Sequence, residues 1–341
     1  MRALPARILA GLVLALAAAG IAAAQDSLAQ DSLAQHSPAR DYPARAVTLV
    51  VPQAPGGTND IVARLLAGRL GEVMGGGRFI VENRAGAGGN VGTASAAAAP
   101  ADGYTLLVTL SSTQAINPAL YARVNFDPVR DFEPVSLLAT VPNVLVAHPS
   151  FPAATLPELI ALAKSRQGGQ ALQYASAGNG TLNHLLGEML RVRAGIPLEH
   201  VPYRGVAPAI NDMVGGHIQL GFASLPSAAS YLRAGALKAL AVSSEARSPA
   251  IPDVPAISET LPGFGADLWV ALFAPRGTPQ VLRDRLHGAV LRAMQDDAFK
   301  AKMLAQGATI VTSTPEELAV LLRADLVKWA EVVKAAGARV E

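Results

Sequence analysis

The chain has 341 residues, of which 51% are hydrophobic, 16% charged and 5% aromatic, with a formal net charge of +2. That length allows two domains, each able to bury a core. A mean hydropathy of +0.31 together with 31 Gly and 24 Pro describes a folded chain rich in tight turns, not a disordered one. The lack of cysteine excludes disulfides, thiolate metal sites, cysteine nucleophiles and a lipidated cysteine anchor.

Arg2 and Arg7, the small-apolar run from Ile8 to Ala19, and Ala22-Ala23-Ala24 before Gln25 form a cleavable signal-peptide pattern over residues 1–24. The apolar run is shorter than the ~20 residues that cross a bilayer, and no later segment reaches that length. Removing residues 1–24 takes two basic residues and no acidic one, leaving 26 basic against 26 acidic. The pI of about 9.0 is therefore no nucleic-acid signature, and an exported, soluble, monomeric protein is expected. Residues 25–41 contain three five-residue units (QDSLA, QDSLA, QHSPA) and read as a polar low-complexity linker. Cleavage after Ala29 or Ala34 is an alternative, because each of these units ends in a small residue.

The folded chain is expected to start near Tyr42. AVTLVVP (46–52) predicts a buried strand, PGGTND a turn, and IVARLLAGRLGEV a helix with Ile61, Leu65, Leu66 and Leu70 at helical spacing. RFIVEN (78–83) is a second strand, RAGAGGNVG leads into an Ala-rich helix, and YTLLVTL (104–110) is a third strand. The pattern resumes with the strand VLVAHP (144–149) and a helix opened by a capping box at Thr155-Leu156-Pro157-Glu158. LQYASAG (172–178) runs into a loop and a helix from Leu182. HIQLGFAS (217–224), ALKALAVSS (236–244) and LWVALFAP (268–275) are further strands, with a helix around Tyr231. A helix starts at Thr278-Pro279. The last begins at Thr314-Pro315-Glu316-Glu317 and carries a core-facing stripe of Leu318, Leu322, Leu326, Trp329 and Val333. This alternation predicts βαβ units, mainly parallel sheets, and two lobes of similar size with a cleft between them.

Such sheets bind ligands beyond the carboxyl ends of their strands, where glycine-rich loops lead into helices. Three loops have this form: Pro55 to Asp60, Gly86 to Asn90, and Ser176 to Thr181. Free N–H groups and the helix dipole there suit a carboxylate or phosphate. Asp60 and Thr181 also read as simple N-caps. A side chain at Gly57 or Gly178 is expected to fill the space an anion needs. Nucleotide motifs fail: Gly86, Gly88 and Gly92 miss G-x-G-x-x-G because Val91 stands where the third glycine belongs, and there is no Walker-A pattern. Neither Ser176 nor Ser224 sits in a G-x-S-x-G elbow. The six histidines lack metal-ligand spacing. His184, one turn into the helix after the third loop, either orients that loop or touches a ligand.

In this order the chain reads YPARAVTLVVPQAPGGTNDIVARLLAGRL, VENRAGAGGNVG, ADGYTLL, DFEPVSLLA, YASAGNGTLNHL, HVPYRGVAPAINDMVGG and LPSAASYLRAGALKALAVSS, then RSPAIPDVPAISE, LPGF, LFAPRGTP and KWAEVVKAAG. From about Tyr42 to Gly337 it is similar to the Bug (TctC-like) receptors, substrate-binding proteins of tripartite tricarboxylate transporters. The resemblance implies an α/β, type II periplasmic-binding-protein fold, with two lobes joined by two crossover segments around a cleft. Lobe 1 would comprise residues 42–141 and 268–341, and lobe 2 residues 142–267. It implies a periplasmic receptor for a small carboxylate, with no catalysis, cofactor or metal, handing its ligand to membrane transporter subunits. An alternative is a ligand-sensing co-receptor for a two-component sensor kinase. A reading from another class is an exported hydrolase using Ser176 or Ser224 with His184.

Carried over by position, the first-lobe contacts would be Gly56, Gly57, Thr58, Asn59, Gly86, Ala87, Gly88, Gly89 and Asn90, with hydroxyls from Ser111 and Ser112. The second lobe would offer Ala177, Gly178, Asn179, Gly180, Thr181, His184 and Ser224, with Tyr203-Arg204-Gly205 nearby; Arg204 also reads as an ion-paired or solvated side chain. At Ala223 relatives commonly carry an acid able to pair with a ligand ammonium. Its replacement points to a dicarboxylic or uncharged-tail acid rather than an amino acid. Alternatively that acid only caps the next helix, a role Ser224 or Ser227 would take here.

Overall fold

The computed structural model describes residues 42–166 and 171–340; the expected signal peptide (1–24) and polar linker (25–41) lie outside the described residues. The unit that begins at Arg45 contains two sheets. The first is built from β1 (Val47–Val51), β2 (Phe79–Asn83), β3 (Thr105–Leu110), β4 (Phe132–Val141), β10 (Leu268–Pro275) and β11 (Thr309–Ile310), in the order β11-β4-β10-β3-β1-β2. The second is built from β5 (Asn143–Ala147), β6 (Leu172–Ser176), β7 (Leu198–Pro202), β8 (Leu220–Ser224) and β9 (Lys238–Val242), in the order β7-β6-β8-β5-β9.

Helices follow the strands: α1 (Thr58–Val73), α2 (Asn90–Ala97), a π-helical turn (Ser112–Ile116) running into α3 (Asn117–Leu120), α4 (Leu156–Ser165), α5 (Leu182–Ala194), α6 (Val206–Val214), α7 (Leu225–Arg233), α8 (Gln280–Gln295), α9 (Asp297–Ala305) and α10 (Pro315–Ala336). Sequence periodicity misses β4, β7, α6 and α9. Pro134 and Glu133 interrupt the apolar pattern of β4, and LEHVP in β7 has a charged residue and a terminal proline.

The sheets are mixed rather than mainly parallel. β1 runs parallel to β2 and β3, and β6 runs parallel to β7 and β8, but β10 and β5 are antiparallel to both of their neighbours. The reason is the chain path. β5 and β10 enter their sheets directly from the crossovers, without the helical return that makes a parallel neighbour.

All eight residues of β10 are buried, as a run with no polar position demands. α10 packs on β4, the π-helical turn and α3, and touches α5. Its stripe of Leu318, Leu322, Trp329 and Val333 is buried, with Leu326 half-buried. Trp269 of β10 donates through its indole N–H to Asp325 at 2.7 Å. The capping box at Thr314 forms with Glu317. At Thr155 only half of the expected box forms: the hydroxyl accepts Glu158 N–H, but the Glu158 carboxylate takes Ala154 N–H instead.

Pro142 alone separates β4 from β5, and residues 243–267 return to β10. Ser243 ties the two crossovers together. Its Oγ accepts Asn143 N–H at 2.9 Å and donates to Ala266 O at 2.7 Å, while Asn143 O accepts Ser243 N–H at 2.8 Å. A cavity of about 420 Å³ beside the crossovers is lined by Pro142, Ser244, Glu245, Asp267, Thr309 and Lys328 among others, and shares no residue with the glycine loops. Burial, reinforced by the Glu245 charge, pushes the Asp267 carboxyl up to about 6, against a Ser243 hydrogen bond and Lys328. The folded chain thus keeps this proton to higher pH than the unfolded one. The stabilisation is complete below the ordinary value of 3.8 and is lost as pH rises through about 6. Asp267→Asn is expected to raise the melting temperature at pH 8 by a few degrees and to leave it unchanged near pH 4. Scanning fluorimetry at the two pH values checks this.

Candidate functional site

In the first sheet β1, β2 and β3 are parallel neighbours, so the segments that follow them emerge at one edge. β1 leads through Gly56 and Gly57 into α1, β2 through Gly86–Gly89 into α2, and β3 into the π-helical turn, a distortion frequent at functional sites. In the second sheet β6 leads through Ala177–Gly180 into α5, and β8 passes directly into α7 at Ser224.

The two edges meet. Thr58 Oγ donates to Ser224 Oγ at 2.7 Å, across 166 residues of chain, and Ser224 Oγ donates on to Ser227 Oγ at 2.9 Å. Leu120 of α3 packs against the Cα of Gly180. Thr58, Asn59, Gly89, Asn90, Ser112, Gly180 and Ser224 are buried there, Gly57, Ala177, Gly178, Thr181 and His184 are half-buried, and Gly56, Gly86, Ala87, Gly88 and Asn179 remain exposed.

The loop after β2 is conformationally costly. Gly86, Ala87, Gly88 and Gly89 all have positive φ, of 144°, 46°, 65° and 101°. Ala87 in the left-handed region costs roughly 1–2 kcal/mol; such strain persists where the surroundings hold it and clusters at ligand clamps. Here Gly88 O accepts from Thr113 Oγ and Asn117 Nδ2, and the same amide donates to Asn90 Oδ1 at 2.7 Å. The loop after β1 is held by Asp60, whose carboxylate accepts Gly56 N–H at 2.9 Å, Arg64 Nε at 3.0 Å and Asn83 Nδ2 at 2.9 Å. Burial opposes ionisation of Asp60, yet these bonds and the Arg64 charge hold its carboxyl below the ordinary range.

Several expectations need correction. Asp60 is not the N-cap of α1: Gly57 is, without a side-chain bond. Thr181 is the N-cap of α5, but its hydroxyl donates to Gly178 O rather than capping the helix. Gly57 has φ −76° and ordinary space around a Cβ, whereas at Gly178 (φ +128°) a Cβ would lie 2.9 Å from Tyr203 O. Ser111 Oγ accepts Trp269 N–H. Arg204 is exposed. Ala223 lies in the hydrophobic core of the second sheet with Val144, Ala175, Ile210 and Met213, fully buried, so its methyl does not reach the loops and the ligand argument built on it loses its footing. Ser176 pairs with His200 and Ser224 with Thr58; neither pairs with His184.

Other residues at the site escape sequence reading. Gln114, in the π-helical turn, is fully buried with neither amide atom hydrogen-bonded, and Asn59 is in the same state. Each such group costs about 1–3 kcal/mol unless something satisfies it. Asn183 donates to Asn143 Oδ1 and Phe222 O, fastening α5 to the first crossover. His200 stacks on His184 with ring centroids 4.0 Å apart. The one local signal for Gln114 was the polar run Ser-Ser-Thr-Gln after an apolar strand.

Two lobes, each an α/β sheet with a strand inserted from the crossover, define a two-lobed binding-protein fold. The family model described as "Tripartite tricarboxylate transporter family receptor" matches residues 62–338, and the chain belongs to that family. Protein BugT of Bordetella pertussis is 37% identical over 299 residues, 87% of this chain and 91% of the relative. Among solved structures, R. palustris Rpa4515 with adipate is 35% identical with a TM-score of 0.83, covering 88% of this chain and 100% of that one. MatC (Rpa3494) from Rhodopseudomonas palustris with bound malate is 34% identical with a TM-score of 0.77, covering 86% and 100%. The fold is that of periplasmic binding proteins. Among the described residues no helix is long and apolar enough to cross a membrane.

Proposed function

We propose that this chain is an exported, non-catalytic receptor that captures a small dicarboxylate between its lobes and delivers it to a tripartite tricarboxylate-type transporter. Residues 1–24 direct export and are removed. Lobe 1 comprises residues 45–141 and 268–340, and lobe 2 residues 142–267. The observations that carry the reading are the hydrogen bond from Thr58, at the start of α1, to Ser224, at the start of α7, and the fully buried amides of Asn59 and Gln114, neither atom of which has a hydrogen-bond partner. A carboxylate would accept from the side-chain amide N–H groups, and the helix dipoles favour its charge. The relatives solved with adipate and with malate support a dicarboxylate.

Scanning fluorimetry with adipate, malate, succinate, citrate, an aromatic acid, aspartate and glutamate at ~1 mM tests it, because a ligand of the folded state raises the melting temperature. At least one dicarboxylate is expected to do so, with calorimetry ranking it above both amino acids. A panel that shifts nothing, or an amino acid that binds tightest, overturns the reading.

The Ser176–His200 pair, at 2.5 Å, gives the hydrolase reading a geometric basis. However, Ser176 is fully buried and its Oγ already accepts Gly178 N–H. Ester turnover abolished by Ser176→Ala would reinstate that reading. A sensor-kinase partner instead of a transporter would show as ligand-dependent capture of the kinase.

A further inference from the structure

We propose that His200, with His184, is a positioning residue for the β6–α5 loop: a neutral stacked imidazole pair holds the loop in its ligand-receiving form, and acid releases it. This rests on the receptor reading of the same loop.

The loop hangs from the pair at two points. Ser176 ends β6; its Oγ lies 2.5 Å from His200 Nε2 and accepts Gly178 N–H at 3.0 Å. Gly180 N–H donates to His184 Nδ1 at 3.0 Å. Thr181 Oγ closes the turn by donating to Gly178 O at 2.8 Å. The imidazoles stack at 4.0 Å with an interplanar angle of 22°, and the Tyr174 ring lies 5.1 Å from that of His200.

The His184 anchor requires a neutral ring; the Ser176 contact does not, because Ser176 Oγ also donates to Gly178 O at 3.2 Å and His200 Nε2 can then be the donor. The Gly180 bond needs a lone pair on His184 Nδ1, and an imidazolium has none. Two rings stacked this closely also repel if both are charged. The titratable groups that face the pair are Tyr174 from β6 and Glu188 from α5, the latter paired with Arg191. Glu188 accepts from Tyr174 Oη at 3.1 Å and from Arg191 Nε at 2.9 Å. Burial, then the neighbouring His184, pushes His200 down to about 4, and burial lowers His184 against the pull of Glu188. The contribution of the pair is complete above the ordinary value of 6.5 and is lost as pH falls toward 4.

The test uses the full chain without ligand, reading amide exchange at Gly178 and Gly180 and imidazole 15N shifts from pH 7.5 down to about 3, below the value near 4 of His200. His200→Ala is expected to raise exchange at both amides at least about tenfold at pH 7.5 through local opening, with the melting temperature little changed. A His184→Gln/His200→Gln double variant, which keeps acceptors at both points and cannot titrate, is expected to retain protection and to lose the acid step. Exchange unchanged in His200→Ala, an acid step that persists in the double variant, or a proton on His184 Nδ1 of the unaltered protein at pH 7.5 would overturn the inference. Calorimetry with adipate and malate runs beside it. Affinity falling with the acid step supports the inference, and affinity that holds through that step overturns it. If neither acid binds while exchange follows the expected pattern, the positioning role stands and the receptor reading falls.

Discussion

Gly180→Ala is expected to weaken dicarboxylate binding about 5- to 150-fold while leaving the empty protein folded. A Cβ at this position would lie 1.6 Å from Leu120 Cδ2 and 2.6 Å from Leu120 Cγ, and the backbone φ is +73°. Leu120 ends α3, which follows β3 of the first sheet, and is 1% exposed, so it has little room to turn away. Inserting a methyl into such a contact costs about 1–3 kcal/mol, which equals the stated loss of affinity if the lobes must meet to hold ligand. If the empty protein relieves the clash by opening, the remaining loss of stability is that of an alanine in the left-handed region, about 1–2 kcal/mol. Leu120→Ala in the same chain is expected to restore most of the affinity, a coupling that a double-mutant cycle by calorimetry would read. Full-strength binding by Gly180→Ala alone would show that the contact has no part in closure.

Gly92→Ala is expected to lower the melting temperature by several degrees or to prevent folding. Here the Cβ would lie 2.4 Å from Arg84 O and 2.7 Å from Pro52 Cα. Both obstacles are backbone, so no rotamer change relieves them, and α2 must move off the end of β1. Overpacking of this kind costs about 1–3 kcal/mol and occasionally more. In a chain of this size each kcal/mol moves the midpoint by roughly 2–4 °C. Gly57→Ala is the control: φ is −76° and the nearest outside atom, Ala54 O, is 3.4 Å from the Cβ. Thermal scans of the two variants are expected to differ by several degrees, with Gly57→Ala close to the parent.

The three glycine loops were legible because a turn needing positive φ and a helix start are local events, written in adjacent residues. The Thr314 capping box was legible for the same reason, and so was β10, whose eight apolar residues admit only a fully buried strand. Pro134 hid β4, since an isolated proline reads as a break until a neighbouring strand shows which side it faces. Ala223 misled because a strand end looks the same from either face. Only the helices packed behind the second sheet reveal that this methyl points into the core.

The alternation of strands and helices, the loops that follow β1, β2 and β6, and the pattern of family motifs are written locally in the chain, because each depends on neighbours a few residues away. Folding in three dimensions is what makes β5 and β10 run antiparallel, brings Thr58 to Ser224 across 166 residues, and gives Ser176 His200 rather than His184 as its partner. It also sets Leu120 against Gly180 and buries the Asn59 and Gln114 amides without partners. These are long-range pairings. Burial and sheet order set them, and no local periodicity carries that information.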